Sequence, residues 1–569
     1  MNYTKHFSTR VTPQSEPIPG SSQVANSAGG FSWQVDCWAR MQRFLILGSE
    51  GGSYYATEKK LTKENALAVS ECLRLDPERA VQLIVDVSDA GRAPKNDPAI
   101  FALAIAAGHA DEHARRLAEA ALPKVARIGT HLFQFIEAVK SFRGWGKGLR
   151  KAISRWYETH PSLALQVAKY QQRNRVSHRD ALRLAHVRSC DPERQAILRW
   201  AVCNTMGERQ VVRTKDGPAV TYPAIVQVPE FLQAVDEAKT ANTGRLVKLI
   251  EEFNLPRECI PTEKLNEIDV WEALLVKMPL TAMVRNLGKM SAIGLLKPMS
   301  AGSTQVCVKL GDVEYIKKSR LHPLAILIAA KTYAQGHGDK GKLKWTPVSQ
   351  INDALDAAFY LAFGNVEPAG KRTLIGLDVS GSMNSGSVAG SSLAPREAAA
   401  AMAMVIAKTE PIYQIMAFSH RFVHVDISKC SRLSDVITIT DSLSFGGTDC
   451  ALPMTTASLN GWMIDTFITL TDSESWAGPI HPHQALLQYR QKTSIPARAI
   501  CVGMVANKFT VLDPDDTGSL NIVGFDSAAP VMINDFSAGR IRSWQSRGAS
   551  ELASAPITLK LRRKLSNKA

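Results

Sequence analysis

From Phe31 to about Tyr360 apolar residues recur at helical spacing, and one segment after another reads as an amphipathic helix. The pattern predicts helices over residues 98–107, 111–125, 162–173 and 177–186. In the last of these Ser177 stands where an N-cap belongs. Asp180 three residues later completes a capping-box-like start, in the place usually held by Glu or Gln. Short connections and few strand signals predict stacked helical hairpins rather than one compact bundle. No fixed repeat period emerges, so that reading rests on the number of helices.

Near Gly364 the periodicity changes. After the Pro/Gly linker NVEPAGK come the apolar runs TLIGLDV, YQIMAF, FVHVDI, FITLTD and RAICVGMV, with an Ala/Met-rich helix over 395–408 between the first two. Strand and helix in alternation predict an α/β doubly wound, mainly parallel sheet. Ligands of such sheets bind beyond the carboxyl ends of the strands. Four regions follow: a flexible leader at 1–30, rich in Ser, Pro, Gly and Asn; a helical part at 31–363; an α/β domain at 370–540; and a C-terminal segment at 541–569 with the basic tail LRRKLSNKA.

A chain of 569 residues implies several domains, and 45% hydrophobic residues are enough for sizeable cores, which excludes collagen-like, coiled-coil and wholly disordered classes. No uncharged apolar run of about eighteen residues exists, and MNYTKHFSTR leads into no hydrophobic h-region, so neither a membrane helix nor a secretory signal is expected. The 9 cysteines form no C-x-x-C pair; a reduced, cytoplasmic setting is expected, and a disulfide framework or zinc knuckle is not. The formal net charge is +15, of which residues 1–369 carry +12 and residues 370–569 carry +3. The positive field belongs to the helical part and points to a polyanionic partner there.

At the end of the first strand of the α/β part stands D-V-S-G-S. Asp378, Ser380 and Ser382 offer three hard oxygens to one small cation, and Gly381 lets the loop fold tightly. Thr448 in FGGTD and Asp472 after FITLT supply further oxygens at loop positions of the same kind. The set resembles the metal-ion-dependent adhesion site of a von Willebrand factor A domain, with Mg²⁺ the natural divalent cation. An anchoring role falls to Asp378, direct hydroxyl ligation to Ser380 and Ser382, and direct or water-mediated contact to Thr448 and Asp472. No catalytic set appears: Asp378 stands where a G-x-S-x-G elbow needs glycine, and the glycines near Lys147 and Lys340 lack phosphate-loop spacing.

Two segments of the helical part join cations to aromatics. In KYQQRNRVSHRDALRLAH, helical spacing puts Lys169 and Arg173 on one face at i and i+4, with Arg175, His178, Arg179, Arg183 and His186 close behind. In RGWGKGLRKAISRWY, Arg143, Lys147, Arg150, Lys151 and Arg155 are interleaved with Trp145, Trp156 and Tyr157. Such a composition suits an RNA surface. Trp156 and Tyr157 read as core rather than stacking platforms, and His186 reads either as part of the surface or as a buried, hydrogen-bonded residue.

On FSWQVDCWARMQRFLILGSEGGSYY, GWGKGLRKAISRWY, KYQQRNRVSHRDALRLAH, MPLTAMVRNLGKM, RLHPLAILIAAKTYAQGHG, LDVSGSM, GGTDCALPM, TDSESWAG and DPDDTG, the chain resembles the Ro 60-kDa autoantigen family over roughly residues 31–540. In that family a TROVE module precedes a von Willebrand factor A domain. The resemblance implies a ring of HEAT-like helical hairpins, monomeric and closed by the A domain, with a basic central hole for single-stranded 3′ ends of misfolded RNA. It also implies an outer basic surface that holds a small noncoding Y RNA, a role in RNA quality control, and, in bacterial relatives, work with a 3′-to-5′ exoribonuclease. Lys169, Arg173 and His186 carry over to the RNA surface, and Asp378, Ser380, Ser382, Thr448 and Asp472 to the metal. Val176 departs from the aromatic that relatives often have there. The expected protein is therefore a non-catalytic RNA-binding scaffold. The competing reading is a protein-interaction module that uses the adhesion site; a metal-dependent nuclease is disfavoured because the site lacks paired metals.

Overall fold

In the computed structural model the described residues are 11–48, 66–173, 175–203, 228–319, 321–338, 342–363, 366–384, 388, 393–425, 427–428, 433–443, 446–505, 509–525 and 529–540. The expected basic tail and residues 1–10 lie outside them. Among the described residues the strands are β1 (Gln23–Ala25), β2 (Phe31–Gln34), β3 (Gln172–Arg173), β4 (Val176–Ser177), β5 (Thr373–Asp378), β6 (Tyr413–Phe418), β7 (Phe422–His424), β8 (Thr466–Thr471), β9 (Arg498–Gly503), β10 (Phe509–Thr510) and β11 (Ser519–Val523).

From Pro77 to Ala185 the helices pack on their next-but-one neighbours. Pro77–Asp89 lies on Glu112–Val125, which lies on Lys147–Thr159, which lies on His178–Ala185; Asp97–Ala107 lies on Gly129–Lys140. Two layers of hairpins result, as the pattern predicts. Helix Asp97–Ala107 is apolar all round because it lies between the layers, with nine of its residues buried. Helix Glu112–Val125 starts where Asp111 accepts hydrogen bonds from the amides of His113 and Ala114 at 3.1 and 3.2 Å. The Ser177/Asp180 capping box forms, with Ser177 Oγ accepting from Asp180 N at 3.2 Å and Asp180 Oδ2 accepting from Ser177 N at 3.0 Å.

One expected helix is shorter than its pattern. The run over 162–173 is helical only over Leu163–Lys169, after which Arg173 pairs with Val176 in the two-residue ladder of β3 and β4. Val176 is buried and Ser177 already caps the next helix, so the chain must reverse within a few residues, and Arg175 adopts φ 62° to do so. Lys169 and Arg173 therefore do not share a helical face.

The α/β part is the expected doubly wound sheet, in the order β11-β9-β8-β5-β6-β7, parallel except for β7 against β6. All six residues of β5 and of β8 are buried, because helices cover both faces, and this is why the strands read as unbroken apolar runs. One face, with Leu374, Phe418, Phe467 and Tyr489, forms its own core; the other, with Ile375, Leu377, Ile468 and Val502, is continuous with the core of the helical part. Both ends of the helical part meet the same corner of the sheet: Phe359 and Phe363 contact Phe525 at ring-centroid distances of 6.1 and 5.9 Å, and Ile46 packs against Gly524. The chain thus closes on itself through the α/β part.

Residues 11–30 correct the expectation of a flexible leader. β1 pairs with β2, and β2 pairs with β10 of the α/β part, in an antiparallel three-stranded sheet. Turn-forming composition concealed this because partners such as Ile480 and His481 lie more than 450 residues away in sequence.

Candidate functional site

The sheet reverses its strand order between β5 and β8, since β5 runs through helix Pro395–Thr409 to β6 on one side and the chain later returns to β8 on the other. Such a switch point opens a crevice beyond the strand ends. Asp378 closes β5 and Asp472 follows β8, so the parallel register of Leu377 with Leu470 brings the two carboxylates to that crevice. Asp378, Ser380, Thr448 and Asp472 are all buried.

Asp378 is held from two directions. Its Oδ1 accepts from Ser380 N at 2.9 Å and its Oδ2 from Thr471 Oγ1 at 2.6 Å. Ser380 Oγ and Ser382 Oγ are 2.7 Å apart, so the D-x-S-x-S hydroxyls are gathered as the spacing predicts. Asp472 Oδ1 accepts from Glu474 N at 3.0 Å, and Thr448 O accepts from Trp476 N and Ala477 N at 3.0 and 3.1 Å, which ties the Thr448 loop to the Asp472 loop. Burial, and then the charge of Asp472, push the Asp378 carboxyl well above the usual carboxylate range. Two buried carboxylates amid hydroxyls make a site that is short of positive charge. Among the described residues no group of three or more His, Cys, Asp and Glu gathers as a metal cluster, so any cation here relies on hydroxyl oxygens.

Sequence reasoning missed three contributors. Thr471 donates to Asp378 but looked like an ordinary strand residue. Arg396 is buried, and its guanidinium donates to Val379 O and, at 3.1 Å, to Thr440 O, placing a positive charge under the D-x-S-x-S turn; its signal was a lone arginine opening an Ala-rich helix. Glu474 is a third buried carboxyl, pushed up to about 7 by burial and by Asp472.

The cationic residues divide into two groups. Lys147, Arg150, Lys151 and Arg155 are exposed on helix Lys147–Thr159, with Arg179, Arg183 and His186 exposed on or next to the adjacent helix His178–Ala185. None of these seven is ion-paired with a described residue. His186 caps its helix at φ 53° and is solvent-facing, not buried. Arg143, by contrast, donates to Ala107 O at 2.7 Å and to Glu119 at 3.2 Å with its side chain 19% exposed, so it braces the helices. Lys169 lies 3.9 Å from Glu258 and 5.4 Å over the Tyr170 ring.

His178 does not belong to the cationic face. It is buried, with Tyr157 Oη 2.8 Å from Nδ1 and the Gln166 carbonyl 3.2 Å from Nε2, an arrangement that suits a neutral ring with the proton on Nε2. Burial pushes its pKa down to about 4. Trp156 and Tyr157 are core residues, both 1% exposed.

Three comparisons bear on these sites. The family models of the TROVE domain and of the Ro60 vWA domain match residues 24–217 with 220–332, and residues 372–537, respectively. The chain is 40% identical over 534 residues to the RNA-binding protein RO60 of Deinococcus radiodurans, covering 93% of this chain and 98% of that one. It is 36% identical over 601 residues to the RNA-binding protein RO60 of Caenorhabditis elegans, covering 94% and 92%. The crystal structure of the Deinococcus radiodurans RO (RSR) protein superposes with a TM-score of 0.67 at 38% identity, covering 89% of this chain and 100% of that one.

Proposed function

Because the chain belongs to the Ro60 family, in which a TROVE domain is followed by a Ro60 vWA domain, we propose that it is a non-catalytic RNA-binding scaffold. It holds a Y RNA on its outer surface, takes single-stranded 3′ ends of misfolded RNA into a central hole, and acts in the cytoplasm in RNA quality control beside a 3′-to-5′ exoribonuclease. The observation that carries RNA binding is the set of six exposed cations, Lys147, Arg150, Lys151, Arg155, Arg179 and Arg183, that lie with His186 on two adjacent helices, none ion-paired with a described residue. Cations left without counter-charges on neighbouring helices repel one another, and a phosphate backbone relieves that repulsion. Within the set of Lys147, Arg150, Lys169, Arg173, His186 and Arg143, the first two and His186 are exposed without an ion pair to a described residue, Lys169 faces Glu258 and Arg143 faces Glu119, and the Arg173 side chain lies outside the described ones.

The A domain holds a divalent cation, Mg²⁺, at Asp378, Ser380, Ser382, Thr448 and Asp472. The donor set fits: all donors are oxygen, two are buried carboxylates, of which Asp472 lies close enough for its charge to raise the proton affinity of Asp378, and a small hard cation takes such oxygens together with water. When bound, the cation supplies an electrophilic position for a carboxylate or phosphate oxygen of a partner. Asp378 orients through Ser380 N and Thr471 Oγ1, and Asp472 through Glu474 N, so the protein sets the donor directions itself. Isolating the protein from its own cells and sequencing the RNA that accompanies it tests the function; recovery of no enriched RNA refutes it.

A further inference from the structure

The N-terminal segment crosses the A domain over the two loops that carry Thr448 and Asp472. Gln14 is fully buried there. Its Nε2 donates to Asp449 Oδ1 at 2.7 Å and to Ile480 O at 2.9 Å, and its Oε1 accepts from Ser475 Oγ. Asp449 is the neighbour of Thr448, and Ser475 lies three residues after Asp472, so one side-chain amide joins both donor loops. Ser475 Oγ in turn accepts from Cys450 N at 3.1 Å.

The backbone around Gln14 repeats the connection. Gln14 N donates to Gly478 O at 2.9 Å, and Phe31 N donates to Gln14 O at 3.0 Å, which fastens the segment to β2. Asn26 Nδ2 donates to Ser475 O at 2.9 Å, and Ser27 and Ala28 hydrogen-bond the buried Glu474 carboxylate. Two glycines allow this approach: a Cβ on Gly478 would meet the Gln14 amide and the Asp449 carboxylate, and one on Gly30 would meet Ser475 O and Trp476. The segment is therefore seated by contacts directed at these loops, not by apolar packing alone.

We propose that Gln14 is a positioning residue of the cation site, fixing the Thr448 loop against the Asp472 loop so that their oxygens converge on one ion. The inference rests on the reading of Asp378, Ser380, Ser382, Thr448 and Asp472 as cation donors. A small divalent cation of the Mg²⁺ type demands near-ideal oxygen distances, so a slight separation of the loops weakens binding, whereas a looser site would not register it. Groups that orient ligands without touching the metal commonly change affinity by about 10- to 100-fold.

The test is a Mn²⁺ titration of the full chain, with free Mn²⁺ read by electron paramagnetic resonance, alongside the thermal unfolding temperature of the metal-free protein. The variants are Gln14→Met, which keeps the volume and removes the amide, Gly30→Ala, whose Cβ would meet Ser475 O and Trp476, and Asp378→Ala. Wild type binding one Mn²⁺, Asp378→Ala binding none, and Gln14→Met binding about tenfold more weakly is the expected result. A Gln14→Met protein that unfolds at lower temperature yet binds Mn²⁺ like wild type overturns the inference while leaving the cation site standing. Wild type that takes up no Mn²⁺ overturns both. If Gln14→Met does not fold, Gly30→Ala decides, with unchanged Mn²⁺ affinity again the refuting result.

Discussion

Replacing Lys147, Arg150 and Lys151 together with Ala isolates the charge of the exposed face from its architecture. All three side chains point to solvent and none is ion-paired with a described residue, so the folded state loses little and the unfolding free energy should change by less than about 0.5 kcal/mol each. RNA affinity should respond strongly. Each phosphate neutralised contributes about 0.7 to the slope of log affinity against log salt for a single strand and about 0.9 for a B-form duplex, so three lost contacts lower the slope by roughly two to three. Relative to 1 M salt, where this contribution vanishes, a slope change of about two corresponds to a loss on the order of fiftyfold at 0.15 M. The assay is fluorescence anisotropy of a labelled structured RNA across a salt series. Arg143→Ala is the control: it breaks the contacts to Glu119 and Ala107 O and should cost about 1–3 kcal/mol of stability while leaving the slope intact. A triple variant with the wild-type slope, or an Arg143→Ala protein whose slope falls as far, would refute the assignment of RNA contact to the exposed face.

Asp378→Ala should abolish Mg²⁺ binding in calorimetry while RNA affinity survives, because the cationic face lies in the other domain; a loss of both contradicts that division. RNAs with an unpaired 3′ tail should outcompete blunt versions of the same RNA, since a hole sized for one strand excludes a duplex, and equal affinities would show that no such hole is used. His178 and His131 are each pushed down to about 4 by burial, against about 6.5 unfolded. Both are neutral in the fold while the unfolded chain takes up protons, so their contribution is complete above pH 6.5 and is lost as pH falls to about 4. Each accounts for up to about 3 kcal/mol, measurable as a falling urea midpoint across that window, and a flat profile would count against it. Tyr157→Phe leaves His178 Nδ1 without its donor and should cost about 1–3 kcal/mol by denaturant unfolding, with RNA affinity unchanged; a variant as stable as wild type would show that hydrogen bond to be dispensable.

The sequence by itself determined what depends on near neighbours. Helices are fixed by spacing over three or four residues and by caps such as Asp111 and Ser177, and the strands of the A domain by apolar runs that helices must cover on both faces. The D-x-S-x-S spacing gathers the oxygens of Asp378, Ser380 and Ser382 within one turn, so that part of the site was legible as well. Tertiary structure decided whatever rests on a distant partner. Arg143 and Lys147 look alike in the sequence, yet Glu119 and Ala107 engage one and solvent receives the other. Lys169 and Arg173 have helical spacing, but the helix ends at Lys169 and the chain reverses just after Arg173, where Val176 is buried. Residues 12–30 have the composition of a loop, and their order was not legible because hydrogen-bond partners such as Asp449 and Ser475 come from the far end of the chain. Local spacing encodes which groups can meet within a few residues; the sign of an environment, charged or neutral, paired or free, is set only when remote segments close around it.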